Sequence, residues 1–579
     1  MAEYNFIHLK KNCRKDATQF PLYKLAVLGD CATQHIATAL QGYAFEEMIQ
    51  LQVYDADYNQ IDAQLLDLQS ELYSFEANAV LLYLCVEKMY DSFCKTDEKN
   101  RILFAENMIA RIQGYWDLLN QNSKVNILQY TFAEFDDGVF GNFAAKNRVS
   151  FLYQIKKLNL LLMEKAQEYK NVFLVDLNGI QAEYGRVHLY DAKMYDIAKM
   201  PLSMELLPEA AKQTVDVIKV LMGKIKKCVI MDLDHTLWGG VIGDDGLEGI
   251  QIGELGIGHA FEELQTWLKE LKNRGIILAV CSKNDEEKAK EPFLKHPDMV
   301  LRLEDISMFV ANWEDKASNI KRIQETINIG MDSIVFLDDN PFERNLVRQM
   351  IPDITVPELP EDPAEYLHYL RNLNLFETIS YSEADKDRTR QYQAEVGRKV
   401  TQQQYATYEE YLESLEMQAT ATAFEPFQYP RIAQLTQRSN QFNLRTIRYT
   451  EADIERVAND ERYITRYYTL KDKFGEHGLI SVVIMEKREQ ELFIDTWLMS
   501  CRVLKRGMEE FIINDIVAFA KDMGYNKVIG EYIKTQKNGM VETIYERMQF
   551  VPLGDGLYEL NPEQYSLQKT AIAYTDERS

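Results

Sequence analysis

Two aspartates, Asp232 and Asp234, follow a short apolar run, Cys228-Val229-Ile230-Met231. Side chains two apart on a strand point the same way, so both carboxylates reach one place where the strand ends. More polar groups fall at matching positions further on. Ser282 and Asn284 close the apolar run that begins at Ile276, Lys316 opens a helical pattern, and Asp338 and Asp339 end the run 333–337. A carboxylate can attack phosphorus and carry the phosphoryl group as an aspartyl-phosphate. A second aspartate can protonate the leaving oxygen and later activate water. Crowded carboxylates need a cation, and oxygen donors suit Mg²⁺. The metal and the lysine would then spread the charge of a transferring phosphoryl group.

These groups need a scaffold that gathers them. Phe261, Leu264, Leu268 and Leu271 repeat at helical spacing, and Gly275 supplies a stop before a strand over 276–280. A helix over 317–328 ends near Gly330 and leads into the strand 333–337. Consecutive βα units of this kind predict a doubly wound parallel sheet, which binds ligands at the carboxyl ends of its strands. The stretch 239–258 is too short for a large cap, so an open site is expected, suited to a bulky or protein-held substrate.

Upstream, strand-like runs at 25–28, 80–84 and 172–175 alternate with helical patterns such as 152–162 and predict another parallel sheet. The first run turns at Gly29-Asp30-Cys31 into a helix. A thiol at a helix N-terminus is expected to ionise more easily, and such a thiolate can accept an acyl group as a thioester. His35, one turn later, is a candidate base. Downstream come β-runs at 480–485 and 491–498, a helix over 507–523, a strand over 528–531 and a helix over 539–547. Backbone N–H groups at the helix start after Arg506-Gly507 can hold a pyrophosphate. The expected organisation is therefore four segments, 1–217, 218–375, a charged helical linker 376–419, and 420–579.

Composition narrows the partners. With 90 acidic against 65 basic residues the chain carries a net charge of −25, which argues against non-specific nucleic-acid binding. No signal peptide and no run of about 18 apolar residues is apparent, so no membrane span is expected. The seven cysteines are scattered without a CxxC pair, which points to a reducing, cytoplasmic setting rather than zinc sites or disulfides.

The central motifs, DLDHTLW, the strand-terminal Ser, the Lys before a helix and the strand-terminal DD, resemble those of the haloacid dehalogenase (HAD) superfamily. The resemblance implies Asp232 as nucleophile, Asp234 as general acid/base, and Ser282, Asn284 and Lys316 at the phosphate. It also implies Mg²⁺ held by Asp232, the Asp234 backbone carbonyl and Asp338, with Asp339 close by. KLAVLGDC resembles the first block of SGNH hydrolases, with Cys31 where their serine stands; no GxND or DxxH block follows, so ordinary serine-esterase activity is not expected. The segment from Leu498 onward resembles GNAT acyltransferases, which implies a pantetheine groove near Arg506, Gly507, Asn538 and Tyr545. The implied fold class is multidomain α/β: an SGNH-like (flavodoxin-like) domain, a HAD-like Rossmannoid domain with a minimal cap, and a GNAT-like α+β domain. With DLDHTLWGGVIGDDG and QLTQRSNQFNL, this order is similar to the FkbH-like family along nearly the whole chain. That resemblance implies an enzyme taking a phosphorylated acyl donor, 1,3-bisphosphoglycerate. Such an enzyme removes phosphate, holds the glyceryl group on a cysteine and passes it to the phosphopantetheine arm of an acyl carrier protein. Two alternatives stand beside it: a phosphatase acting on another phospho-metabolite such as a sugar phosphate, and a non-catalytic module that recruits a carrier protein.

Overall fold

The computed structural model describes residues 4–381, 398, 405 and 407–575. Two compact units are formed, Met1–Lys219 and Val220–Ser579. Most of the stretch expected as a charged linker helix lies outside the described residues; within it the helix Tyr408–Ser414 is present.

The first unit is built on β1 (Leu22–Gly29), β2 (Gln50–Asp55), β3 (Ala79–Tyr83), β4 (Asn126–Tyr130) and β5 (Val172–Val175). All pairs are parallel and the order is β2-β1-β3-β4-β5, the flavodoxin-like arrangement. The sequence pattern locates β1, β3 and β5. It misses β2, a half-exposed edge strand, and β4, whose run is broken by Asn126 and Gln129. Gln129 is fully buried; its Nε2 donates to Tyr130 O at 2.9 Å while its Oε1 has no partner among the described residues, so a polar side chain stands in a core strand where the pattern looks for an apolar one. The chain leaves β1 for the edge and returns to β3 on the other side, so β1 and β3 flank the switch point where such sheets bind ligands.

The second unit begins with a four-stranded parallel sheet of β6 (Cys228–Met231), β7 (Ile277–Ser282), β8 (Met308–Ala311) and β9 (Ile334–Leu337), ordered β8-β7-β6-β9. Strand alternation divides its side chains between two cores. Val229, Met231, Leu278 and Val280 join one apolar cluster; Cys228, Ile230, Ile277, Ala279 and Cys281 join the other. The helix Gly258–Asn273 fills the first cluster with Phe261, Leu264, Leu268 and Leu271, and Lys316–Ile327 fills the second with Ala317, Ile320, Ile323 and Ile327. Each large side chain so buried contributes roughly 1.5–3 kcal/mol. Gly275, at φ 93°, lets the chain leave the first helix and enter β7 directly. Between β6 and that helix stands one short helix, Ile242–Gly249, so the cap is minimal.

A second sheet in this unit has eight strands: β10 (Gln418–Thr422), β11 (Tyr463–Asp472), β12 (Gly475–Arg488), β13 (Glu491–Met499), β14 (Lys527–Glu531), β15 (Val551–Gly554), β16 (Leu557–Leu560) and β17 (Ala573–Tyr574), ordered β15-β16-β14-β13-β12-β11-β10-β17. β10 to β13 run antiparallel; the helix Met508–Asp522 then crosses over and brings β14 parallel to β13. That crossover beside an antiparallel meander is the GNAT-like arrangement. The helix expected over 539–547 is two short turns, Gly539–Val541 and Ile544–Arg547, separated where Thr543 leaves helical geometry (φ −105°, ψ 11°).

Candidate functional site

The register of the four-stranded sheet brings the predicted residues to one edge. Met231 pairs with Val280 and Leu337, and the Asp232 N–H donates to Leu337 O at 2.9 Å. The next residues, Asp232 after β6 and Asp338 after β9, therefore stand side by side, with Ser282 ending β7. Lys316, the first residue of its helix and 3% exposed, donates to Asp232 Oδ2 at 2.7 Å and to Asp338 Oδ2 at 2.5 Å. Burial alone would favour the neutral amine, but these two carboxylates hold it charged, above the ordinary lysine range. Burial, and next the neighbouring Asp232, push Asp338 up to about 7 against the pull of Lys316. Asp339 is raised by the same two causes.

Asp234 faces a different set of groups. Its Oδ1 accepts from Trp238 Nε1 at 2.9 Å and from the Ile242 N–H at 3.0 Å, and its Oδ2 accepts from Asn284 Nδ2 at 2.7 Å. Asn284 thus holds Asp234 in place. Trp238, Thr236 and Arg344 were not singled out in the sequence. Thr236 Oγ1 accepts from the Asp339 N–H at 3.1 Å. Arg344 donates through Nη1 to the carbonyls of Asp338 (2.9 Å) and Asp339 (2.6 Å), and through Nη2 to Glu358 Oε1 (2.6 Å). Its signal was an arginine one turn into the helix that starts Asn340-Pro341, directly behind the paired aspartates.

Asp232, Asp338 and Asp339 each offer a carboxylate oxygen, all within 4.8 Å of one another. Asp232 Oδ1 is buried and has no hydrogen-bond partner among the described residues. An orphaned carboxylate oxygen in a cluster of three hard donors fits a divalent cation such as Mg²⁺. The Asp234 carboxylate, occupied by its three donors, stands outside this set.

The first unit corrects two expectations. Cys31 is 1% exposed, and the helix after it starts only at Gln34. Burial pushes its thiol well above the usual range, and the adjacent Cys85 thiol and the Asp30 and Glu87 carboxylates push it the same way. The helix N-terminus therefore does not activate this cysteine as expected, because desolvation and neighbouring negative charge outweigh the dipole. Cys31 and Cys85 follow β1 and β3 at the switch point, and with Asp30 their donor atoms lie within 4.8 Å of one another. Asp30 Oδ1 accepts from the Cys85 N–H at 2.8 Å. His35 is exposed and stacks on Phe6, with ring centroids 5.5 Å apart, so it serves packing on the outer helix face and is not aimed at Cys31.

The third fold corrects the proposed pantetheine contacts. Arg506 is buried and directed at Asp472 Oδ2 (3.4 Å) and His477 Nε2 (3.3 Å), where Arg398 also pairs with Asp472. Asn538 is fully buried and donates to Asn443 O (3.0 Å) and Ile533 O (2.9 Å); Tyr545 lies in the core, its ring against Gly530. These three residues hold the fold together. Gly507, at φ 82°, does line a groove of about 550 Å³ together with Lys505, Glu509, Ile544 and Arg547. Glu509, in the first turn of the helix Met508–Asp522, accepts at Oε1 from the Lys505 N–H (3.2 Å). Its Oε2 is buried without a partner among the described residues, and burial raises its pKa. A carboxylate therefore stands at the helix start where a pyrophosphate was expected.

Fold and site together define a multidomain α/β protein with a HAD-like aspartate site. Residues 24–219 match the family model described as FkbH, N-terminal domain. The crystal structure of the N-terminal part of the protein BF1531 from Bacteroides fragilis, containing a phosphatase domain complexed with Mg, is 47% identical. It covers 65% of this chain and 100% of its own, with a TM-score of 0.62. The chain belongs to the FkbH-like family. The ribosomal-protein-S18-alanine N-acetyltransferase from Escherichia coli is 14% identical over 28% of this chain and 98% of its own, with a TM-score of 0.20. Comparison with curated protein sequences gives no match.

Proposed function

We propose that the protein is a Mg²⁺-dependent HAD-type phosphatase whose dephosphorylation is coupled to acyl transfer. The carrying observation is the orphaned Asp232 Oδ1, beside Asp338 and Asp339, with Lys316 already on Oδ2. Bound Mg²⁺ would neutralise the clustered carboxylates and the phosphate oxygens facing them. The free oxygen of Asp232 attacks phosphorus, and the bond from phosphorus to the ester oxygen breaks. Asp234, steadied by Asn284 and Trp238, gives its proton to that leaving oxygen. It then takes a proton from water, which attacks phosphorus and releases Asp232 with inorganic phosphate. Lys316 and Ser282 face the transferring group.

In this reading the donor is 1,3-bisphosphoglycerate. A thiolate attacks its acyl-phosphate carbon, a C–S bond forms and phosphate leaves with the electron pair. The glyceryl thioester, freed of its remaining phosphate at Asp232, then passes to the phosphopantetheine thiol of an acyl carrier protein. Cys31 is the proposed thiol, and its burial means that the Gly29-Asp30-Cys31 turn must open before it is loaded. The same burial favours a second reading, a phosphatase of another phospho-metabolite that does not use Cys31.

The test is intact mass after incubation with 1,3-bisphosphoglycerate and Mg²⁺, for wild type, Cys31→Ala and Asp232→Asn. A glyceryl-sized gain on wild type that Cys31→Ala lacks, and a phosphoglyceryl gain on Asp232→Asn, are expected. Phosphate release without any gain in mass refutes the thioester and leaves the second reading.

A further inference from the structure

The first unit holds a second group of side chains suited to a metal. Gly29 of β1 pairs with Tyr83 of β3 in the parallel register. Cys31 and Cys85, each two residues further on, therefore leave neighbouring strands side by side. The sequence has no CxxC spacing, but the sheet brings together across two strands the thiol pair that such a spacing supplies along one. Both sulfurs and one carboxylate oxygen of Asp30 lie within 4.8 Å of one another. A tetrahedral Zn²⁺ bound at about 2.0–2.3 Å holds its sulfur and oxygen ligands about 3.5 Å apart, so these donors reach it by shifts of about 1 Å.

The surroundings fit an ion as well. The group stands where β1 and β3 end, at the switch point of the sheet. Cys85 also lines a cavity of about 30 Å³, room for a water molecule, with Glu87, Thr131, Arg186 and Tyr190. Glu87 is buried; its Oε1 accepts from Arg186 Nη2 at 3.1 Å, while its Oε2 has no partner among the described residues. An unpaired carboxylate oxygen withdrawn from water beside two thiols marks a place that a cation would stabilise. The neighbouring side-chain cations are directed to other atoms. Lys88 Nζ donates to the Asp30 backbone carbonyl and to Asn59 Oδ1, both at 2.6 Å, and Arg111 pairs with Asp62 at 3.2 Å. Two sulfurs and one oxygen select a thiophilic ion, in contrast to the all-oxygen aspartate cluster.

We propose that Asp30, Cys31 and Cys85 bind a thiophilic divalent cation of the Zn²⁺ type, with a fourth position open toward the cavity for water. On binding, two metal–sulfur bonds replace the two S–H bonds, and both protons pass to solvent. A metal-held sulfur is a thiolate even where burial keeps the free thiol protonated, as it does for Cys31. On the thioester reading above, this supplies the nucleophile that the helix N-terminus does not; the site itself does not rest on that reading.

Titration of the reduced full chain with Co²⁺ tests the assignment, in excess Mg²⁺ so that the aspartate cluster holds its hard ion. Wild type, Cys31→Ser, Cys85→Ser and Cys94→Ser are compared, the last changing an exposed thiol outside the site, with thermal melts to confirm that each variant folds. Wild type and Cys94→Ser are expected to show a thiolate-to-cobalt charge-transfer band that saturates at one ion per chain and is displaced by Zn²⁺. Cys31→Ser and Cys85→Ser are each expected to lose intensity and to bind at least ~10-fold more weakly. No charge-transfer band on wild type, a result that needs no variant, overturns the site, and so does a band that Cys31→Ser and Cys85→Ser both leave unchanged. No acyl donor is present, so failure here is distinct from failure of the thioester reading, which the intact-mass experiment decides.

Discussion

Lys316 is the most informative residue to remove. It is almost fully buried, and its ammonium bridges Asp232 and Asp338. Lys316→Met deletes the cation and leaves clustered carboxylates facing one another in a low dielectric. Breaking a buried ion pair by removing one partner costs about 3–5 kcal/mol. Here the lower end applies, because Asp338, already pushed up to about 7, can take a proton and relieve part of the repulsion. The expected loss in metal-free protein near pH 8 is therefore about 3 kcal/mol. Magnesium should return most of it, since a divalent ion among Asp232, Asp338 and Asp339 replaces the lost charge. The assay is urea unfolding with and without Mg²⁺, the transition assigned by hydrogen exchange of β6 and β9. Wild type should gain less from Mg²⁺ than the variant does. If the metal-free variant is as stable as wild type, or if Mg²⁺ stabilises both equally, the lysine does not hold the carboxylates together and the argument fails. Phosphate release should fall at least ~10²-fold in the same variant, as when one group stabilising a transition-state charge is removed.

Asp232→Asn should lower Mg²⁺-dependent phosphate release by ~10³-fold or more while binding of phosphate persists, checked by stopped-time phosphate detection. His477, buried beside Asp472, Arg398 and Arg506, is held down to about 4, chiefly by burial. The unfolded chain then binds the extra proton between about 6.5 and 4, so stability should be full above that window and fall as the pH drops through it, by up to roughly 3 kcal/mol; His477→Gln should flatten that slope in urea titrations at stepped pH. Iodoacetamide at neutral pH should label exposed Cys94 well before Cys31, read by peptide mass, and rapid labelling of Cys31 would contradict its closed setting. Gly42→Ala would bring a methyl to 2.2 Å from Leu9 O and should destabilise the first unit by about 1–3 kcal/mol in a thermal melt.

The aspartate site was legible because every part of its signal is local. An apolar run of four marks a strand buried on both faces, the DxD spacing puts two carboxylates on one side, and parallel pairing carries Asp232, Ser282 and Asp338 to the same edge. What the sequence did not show was which side chains surround each of the two aspartates. Asp234 turns to Trp238, Ile242 and Asn284, and Asp339 takes the place beside Asp232 and Asp338, because the short cap segment folds back over the strand end.

The errors share a cause. The Gly29-Asp30-Cys31 turn is written in adjacent residues, but the Cys31 environment is set by Cys85 and Glu87, which arrive from β3 more than fifty positions later. A helix N-terminus lowers a thiol pKa only where its donors outweigh desolvation, and three acidic or thiol neighbours in a closed space reverse the sign. Arg506 is the same lesson with opposite charge. It stands next to a helix-starting glycine, where an anion site was read, yet Asp472 and His477 from the β11–β12 hairpin draw its guanidinium inward. Glu509 then occupies the helix start itself. A pyrophosphate at this loop would consequently meet a buried carboxylate as well as the backbone N–H groups, so an arginine beside a helix-starting glycine does not by itself make an anion site.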